Sequence, residues 1–294
     1  MPAVKEYTTP NRPTWCPGCG NFGMWEALKR ALSELELDFH EFSVVWGIGC
    51  HGNGADFLKT HGFHALHGRA LPVAQAVKLA RPDLKVIVEA GDGDGYGLGM
   101  GHFVHALRRN IDLTYIGHNN QIYGLTTGQA SPTTDQHMKS PSTPKGVLEE
   151  PINPIGIALA EGATFVARGF AGDIPHLTEL YKQAIQHRGF AIVDVFQPCV
   201  TFNRVNTFPW FRERVFKLED RDWDTSDRAA AFELSMTTFH ELLCEPDQCT
   251  VPTGVFYRRE GVKTYEDGLA AYGEPLWKRA LAPRDISDLL AEFT

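Results

Sequence analysis

Apolar positions fall along this chain in two alternating patterns. Contiguous apolar runs, many of them β-branched, read as buried strands. They cover Phe42 to Ile48, Leu84 to Ala90, Leu113 to Gly117, Thr164 to Ala167 and, as a final strand, Phe190 to Phe196. Between them apolar residues recur at helical spacing. Trp25, Leu28, Leu32 and Leu35 mark a helix from about Asn21, which is placed to cap it. Ala70 to Ala80 reads as a helix stopped at Arg81-Pro82. Gly97 to Arg109 is expected to be helical despite its glycines, and Ile155 to Glu161 a short helix. Asp173 to His187 is amphipathic, with Leu177, Leu180, Tyr181 and Ala184 on one side.

Two stretches break the rhythm. Residues 51–68 are rich in Gly and His and show no period. Residues 120–153 form a long irregular segment rich in Pro, Ser, Thr and Gly, the kind of loop that is usually functional or mobile. Past residue 200 the pattern changes. Residues 201–223 are rich in Arg and aromatics, and Ser226 is expected to cap a helix running to about Leu243. Residues 245–283 read as loops and short strands, and Ile286 to Phe293 as a last helix. The alternation predicts an α/β fold: a parallel sheet with helices on both faces over residues 1–200, and a C-terminal extension over 201–294. Ligands of such sheets sit beyond the carboxyl ends of the strands. Cys50, Asp92, Asn120 and Cys199 each fall just after an expected strand, so the chemistry is expected on one edge.

Composition narrows the classes. At 294 residues, 43% hydrophobic and 22% charged, the chain can bury a large core. Its net charge of −8 argues against a nucleic-acid binder. No run approaches the 18 or so apolar residues of a membrane span, and MPAVKEYTTPNRP lacks an apolar signal core. A cytoplasmic protein is therefore expected. Its six cysteines then point to metal or redox chemistry rather than to disulfides.

The candidate chemistry centres on residues 86–129. Gly91-Asp92-Gly93-Asp94-Gly95 follows a strand, and Asn119-Asn120 ends the next, with 25 residues between Gly93 and Asn119. Gly-Asp-Gly alone is weak, since any strand-to-helix turn can contain it. With the Asn pair at this spacing it resembles the thiamine diphosphate signature. Asp92 would hold Mg²⁺ by its carboxylate, Asn120 by its amide oxygen and Ile122 by its carbonyl, with Asp94 as the alternative to Asp92. Gly93, Asp94 and Gly95 would approach the diphosphate through the backbone. A dinucleotide fold is the rival, but the acidic residue it needs near Leu113-Thr114 is missing.

Cys16 and Cys19 form a C-x-x-C pair on a Pro-Gly loop. Spacing leaves zinc, a redox dithiol and an iron–sulfur cluster open. Structural zinc draws on two close pairs, whereas Cys50 and Cys199 are single and distant, and four thiolates suit a [4Fe–4S] cluster. Cys244 and Cys249 read as ordinary thiols. His61, His64 and His67 lack an accompanying carboxylate and are not expected to bind metal.

Taken together, WCPGCG, GIGC, GFHALHGRALPVA, GDGDGYGLGMGH, NNQIYGLTTGQASPT and QPCVTFN resemble the β subunit of the 2-oxoacid:ferredoxin oxidoreductases, over residues 14 to 215. The resemblance implies a thiamine diphosphate-binding fold and a [4Fe–4S] cluster on Cys16, Cys19, Cys50 and Cys199. It places Cys50, His67, Gly91, Gly93, Asp94, Gly95, Tyr123, Gly124, Leu125 and Thr126 at the cofactor. His67, Asn53, Leu125 and Thr126 are placed at the reacting substrate. The implied reaction is reversible, coenzyme A-dependent oxidative decarboxylation, with electrons leaving to ferredoxin. The carboxylate that activates thiamine has no owner in this chain, so a partner α subunit and an (αβ)₂ assembly are implied. Asn53 stands where a Lys or Arg is common and Thr127 where a Gly is frequent. Asn53 carries no charge, so a contact to the distal carboxylate of 2-oxoglutarate would have to come from elsewhere; the long tail and the fused GFHALHGRALPVA block resemble the 2-oxoglutarate or broad 2-oxoacid branch more than the pyruvate branch. A non-redox thiamine decarboxylase or synthase is the alternative. Arg204, Arg212, Arg214 and Lys217 form the densest basic run and the candidate ferredoxin contact.

Overall fold

The computed structural model describes residues 2–239, 250–270, 278 and 285–293. Their strands form one sheet in the order β2-β1-β3-β4-β6-β5-β8-β7. The strands are β1 (Phe42–Trp46), β2 (His61–His64), β3 (Lys85–Gly91), β4 (Leu113–Asn119), β5 (Phe165–Phe170), β6 (Phe190–Phe196), β7 (Val215–Lys217) and β8 (Val251–Arg258). The first six are mutually parallel. β1, β4, β5 and β6 are buried at every residue, which is why each is mainly apolar, broken only by buried polar residues such as Ser43, His118, Arg168 and Asp194.

The strands feed two cores. Alternate residues Val86, Val88 and Ala90 face α2 (Ala70–Ala80), α3 (Met100–Arg109) and α4 (Pro154–Ala160). Ile87, Val44 and Val193 face α1 (Asn21–Glu34) and α5 (Ile174–Gln186). Helix starts follow the sequence chemistry at α4 and α5. Asn153 accepts from Gly156 N–H at 3.0 Å, and Asp173 accepts from His176 N–H at 3.1 Å, each with a proline in the first turn. Asn21 does not cap α1. It is the first helical residue, and its amide turns inward to His118 Nδ1 at 3.0 Å.

Three further expectations are corrected. The Gly/His stretch contains a strand, β2, exposed at all four residues, so burial left no periodic trace in its sequence. Phe190–Phe196 is not the last strand: the chain beyond residue 200 returns to the sheet. β8, an eight-residue strand, pairs antiparallel with β5, and β7 pairs with β8. α6 (Phe208–Arg212) precedes α7 (Arg228–Phe239), which packs against α4. α7 is capped not by Ser226 but by Asp227, whose Oδ1 accepts from Ala229 and Ala230 N–H. Leu243, Cys244 and Cys249 lie outside the described residues. No helix among the described residues is long and apolar enough to cross a membrane.

Candidate active site

β1 and β3 lie side by side, and the chain leaves β1 outward to the edge strand β2. A crevice therefore opens beyond their carboxyl ends. β1 runs through Gly47-Ile48-Gly49 into a 3-10 turn, Cys50–Asp56. β3 runs into a π-helical turn, Asp92–Leu98, closed by Gly99 N–H donating to the Asp94 carbonyl at 2.9 Å.

The two aspartates of this turn have different jobs. Asp94 Oδ1 accepts from Ile48 N–H (3.2 Å) and Gly68 N–H (2.6 Å), and meets His67 Nδ1 at 2.6 Å. Its Oδ2 lies so close to Gly47 that a Cβ there would come within 1.8 Å. Asp94 thus ties β1, β3 and the His67 loop together. Asp92 is the freer carboxylate. Its Oδ2 accepts from Ser131 Oγ and Thr133 Oγ1, each at 2.6 Å. Burial pushes its carboxyl up to about 6, and the two hydroxyls pull the other way.

Opposite Asp92 stands the end of β4. Gln121 adopts the left-handed conformation, φ +59°, held by its Nε2 donating to Asp135 Oδ1 (2.8 Å) and its carbonyl accepting from Thr134 Oγ1 (2.6 Å). This bend lets Asn120 and Ile122 line the same cavity. Asn120 Oδ1 accepts from Ile122 N–H at 3.0 Å, which leaves a second lone pair. Tyr123 closes one wall. Its hydroxyl donates to the Gly93 carbonyl at 3.1 Å, and its ring stands edge-on to His67.

Cys50, His67, Gly91, Gly93, Asp94, Gly124, Leu125 and Thr126, all expected from sequence, line this cavity with Asp92, Asn120 and Ile122. Two expected residues do not. Asn53, within the 3-10 turn, donates to Thr14 Oγ1 of the N-terminal loop at 3.3 Å. Gly95 faces inward, where a Cβ would meet the Tyr115 hydroxyl at 1.8 Å. Gly91 N–H is taken by His51 Nε2 at 3.1 Å. Burial and its neighbours His118, His64 and His67 push His51 well below its ordinary pKa, so it stays neutral and can accept. The sequence reading missed His51, Ser131 and Thr133. The hydroxyls sit in the quoted ASPT run, but only the fold brings them to Asp92.

The thiols gather beside Gly124, at the Cys50 end of the cavity. Cys16, Cys19, Cys50 and Cys199 are free. A Cβ on Gly124 would sit 3.6 Å from Cys50 Sγ and 3.7 Å from Cys199 Sγ. Burial pushes the Cys19 thiol up to about 12, against the pull of the Asn21 N–H, and Cys199, Cys50 and Cys16 add to the rise. Burial likewise raises Cys50, with Cys199 and Cys16 adding. Trp15 Nε1 donates to the Cys50 carbonyl at 2.6 Å and fixes the N-terminal loop on the turn. Among the described residues no three His, Cys, Asp or Glu groups stand close enough to share a single ion.

The basic run divides. Arg214 is buried, its guanidinium over the Trp210 ring, and Lys217 pairs with Asp173 at 2.8 Å. Only Arg204 and Arg212 of the four are exposed.

Known proteins share this arrangement. A family model described as thiamine pyrophosphate enzyme, C-terminal TPP binding domain, matches residues 47–195. A second, for the C-terminal part of the pyruvate ferredoxin oxidoreductase beta subunit, matches residues 199–274. The 2-oxoacid:ferredoxin oxidoreductase subunit beta of Saccharolobus solfataricus is 48% identical over 260 residues, 87% of this chain and 85% of that protein. This chain belongs to the β subunits of the 2-oxoacid:ferredoxin oxidoreductases. The β subunit is also 45% identical over 199 residues to the 2-oxoglutarate oxidoreductase subunit KorB of Mycobacterium tuberculosis, covering 68% of this chain and 53% of that one. A solved 2-oxoglutarate:ferredoxin oxidoreductase from Magnetococcus marinus, with 2-oxoglutarate, coenzyme A and succinyl-CoA bound, matches with a TM-score of 0.88 at 40% identity. That match covers 99% of the β subunit and 96% of the solved chain. The α/β fold is thus the thiamine diphosphate-binding fold of this enzyme class.

Proposed function

We propose that this β subunit supplies the diphosphate half of a site that oxidatively decarboxylates 2-oxoglutarate with coenzyme A. Electrons leave through a [4Fe–4S] cluster on Cys16, Cys19, Cys50 and Cys199 to ferredoxin. The observation that carries this is the meeting of two donor sets at one sheet edge. Asp92, Asn120 and the Ile122 carbonyl are hard oxygen donors suited to Mg²⁺. Four free thiols, close enough for Cys199, Cys50 and Cys16 each to act on Cys19, stand beside them at Gly124. Both sets fit their groups: Asp92 and Asn120 each keep oxygen capacity, and four thiols match the four ligands of a [4Fe–4S] cluster.

Bound thiamine diphosphate supplies the nucleophilic carbon and electron sink, and a cluster beside it accepts electrons singly. The chain's own residues do the rest. The Asp92 carboxylate, fixed through Oδ2 by two hydroxyls, would offer its other oxygen to the metal. Asp94 orients His67 by accepting from Nδ1, so Nε2 is the nitrogen available to the cavity. Leu125 and Thr126 cover the opening. The cavity's two carboxylates, Asp92 and Asp94, are both committed, and its described wall contains no Lys or Arg. On this reading the activating Glu and the contact to a distal substrate carboxylate come from a partner α subunit, which the naming of the relatives as β subunits supports, in an (αβ)₂ assembly.

Anaerobic purification with iron and sulfide analysis tests the reading. We expect about four irons per β chain and viologen reduction faster with 2-oxoglutarate than with pyruvate. Faster reduction with pyruvate would move the substrate to the other branch. A colourless zinc protein would sink the oxidoreductase reading.

A further inference from the structure

One side chain touches both donor sets. Gln197 directly follows β6, is 2% exposed, and its N–H donates to the Asn119 carbonyl at 2.9 Å. Its side-chain Oε1 accepts from Asn120 Nδ2 at 3.1 Å. Its Nε2 donates to Cys19 Sγ at 3.4 Å and to the Pro198 carbonyl at 3.1 Å. The neighbours admit one orientation. Flipping the amide would set its oxygen against a sulfur and a carbonyl, and its two N–H groups against an amide donor. The contact with Cys19 is built by the backbone as well. A Cβ on Gly20 would come within 2.9 Å of Gln197 Cγ and 3.0 Å of Nε2, so the residue after Cys19 has to be small for the amide to reach the sulfur.

We propose that Gln197 couples the metal site to the cysteine site, so that filling the first raises the reduction potential of the second. The inference rests on the cluster and Mg²⁺ assignments above. Hydrogen bonds to cluster sulfurs stabilise the more negative, reduced state and raise the potential. Hydrogen bonds in series polarise one another. A cation at Asn120 Oδ1 draws charge from that amide and makes its Nδ2–H a stronger donor to Gln197. Gln197 then becomes a stronger donor to Cys19. Electron acceptance is thereby favoured when the cofactor is in place, and an empty site holds the cluster at lower potential. Gln197 is a positioning residue: it touches neither substrate nor the reacting carbon.

The test is a redox titration of the cluster, followed by electron paramagnetic resonance, on the holoenzyme with and without Mg²⁺–thiamine diphosphate. In the wild type, loading should change the reduced-to-oxidised ratio at fixed poise by about tenfold, which is about 59 mV for a one-electron couple. Gln197→Glu keeps an acceptor for Asn120 and removes the donor to Cys19. Its potential should fall, and the loading shift should vanish. Gln197→Met, of similar volume, should lose the shift and also need more Mg²⁺ for half-saturation of cofactor binding. A wild-type potential indifferent to loading overturns the inference without recourse to any variant. So does a loading shift that survives in either variant with full iron content. A wild-type protein without iron and sulfide overturns the cluster assignment itself, a separate result read before the titration begins.

Discussion

Replacing Asp92 by Asn should make the metal-free protein more stable while abolishing its response to Mg²⁺. Asp92 is 3% exposed, and burial raises its carboxyl from the ordinary 3.8 to about 6. At about 1.4 kcal/mol per pH unit, that rise is worth about 3 kcal/mol. The sign follows from which state holds the proton more tightly. The folded protein does, so this contribution is fully present below about pH 4. It is lost as pH rises through about 6. At pH 7.5 the metal-free fold therefore carries an ionised, desolvated carboxylate that Asn lacks. The stability difference between Asp92→Asn and wild type should grow from near zero at pH 4 to about 3 kcal/mol at pH 7.5. At roughly 2 °C per kcal/mol for a chain of this size, the variant should melt roughly 6 °C higher. Differential scanning calorimetry of EDTA-stripped protein at both pH values measures this. Saturating Mg²⁺ and thiamine diphosphate should reverse the order, since only the wild type gains binding free energy. A metal-free variant that melts at or below the wild type at pH 7.5 would refute the assignment of Asp92 as a buried carboxylate held for a cation.

Removing the hydroxyls on Asp92 by a Ser131→Ala, Thr133→Val double substitution should raise the Mg²⁺ needed for half-saturation by about 10-fold or more, as loss of a ligand's outer partners does; equilibrium dialysis reads it. Gly93→Ala would put a Cβ 2.1 Å from the Tyr123 ring, so Tyr123 must move, and thiamine diphosphate retention on gel filtration should be lost while the melting profile survives. Thr127 sits at φ +74°, a conformation suited to glycine, so Thr127→Gly should relieve about 1 kcal/mol of strain and slow proteolysis of the loop over the cavity. Charge reversal at the exposed Arg204 and Arg212 should raise the ferredoxin KM with kcat for viologen unchanged; an unaltered KM would count against that surface.

Much of the fold was legible because the central strands are buried on both faces. A strand such as Phe190–Phe196, with every residue inside, announces itself as an apolar run. β2 did not, because an exposed edge strand asks nothing of its side chains. β8 was missed for a different reason. Its return to the sheet depends on pairing with β5, more than 80 residues earlier in the chain, a contact that no local period encodes. The site showed the same division. Asp92, Asn120, Cys50 and Cys199 were visible as residue types at strand ends, and Cys16 and Cys19 as a C-x-x-C pair. The separate roles of Asp92 and Asp94 were not, because they depend on which hydroxyls and backbone N–H groups the fold delivers. Ser131 and Thr133 arrive from an irregular loop, and Gly68 from the far side of β2. Asn53, expected at the substrate, bonds Thr14 in this chain, a contact that depends on how the 3-10 turn and the N-terminal loop meet and that no local pattern encodes.

The spread of the four thiols along the chain also sets an order of assembly. Cys16, Cys19 and Cys50 leave the ribosome within the first fifty residues, and Cys199 follows about 150 residues later. At roughly 5–20 residues per second that interval lasts roughly 7–30 s. Cys199 follows β6, which pairs with both β4 and β5, so its thiol is set only once the middle of the sheet has closed. A nascent chain thus shows three sulfurs for many seconds without the fourth. On the proposed cluster assignment, the four ligands are therefore complete only after β6 has joined the sheet.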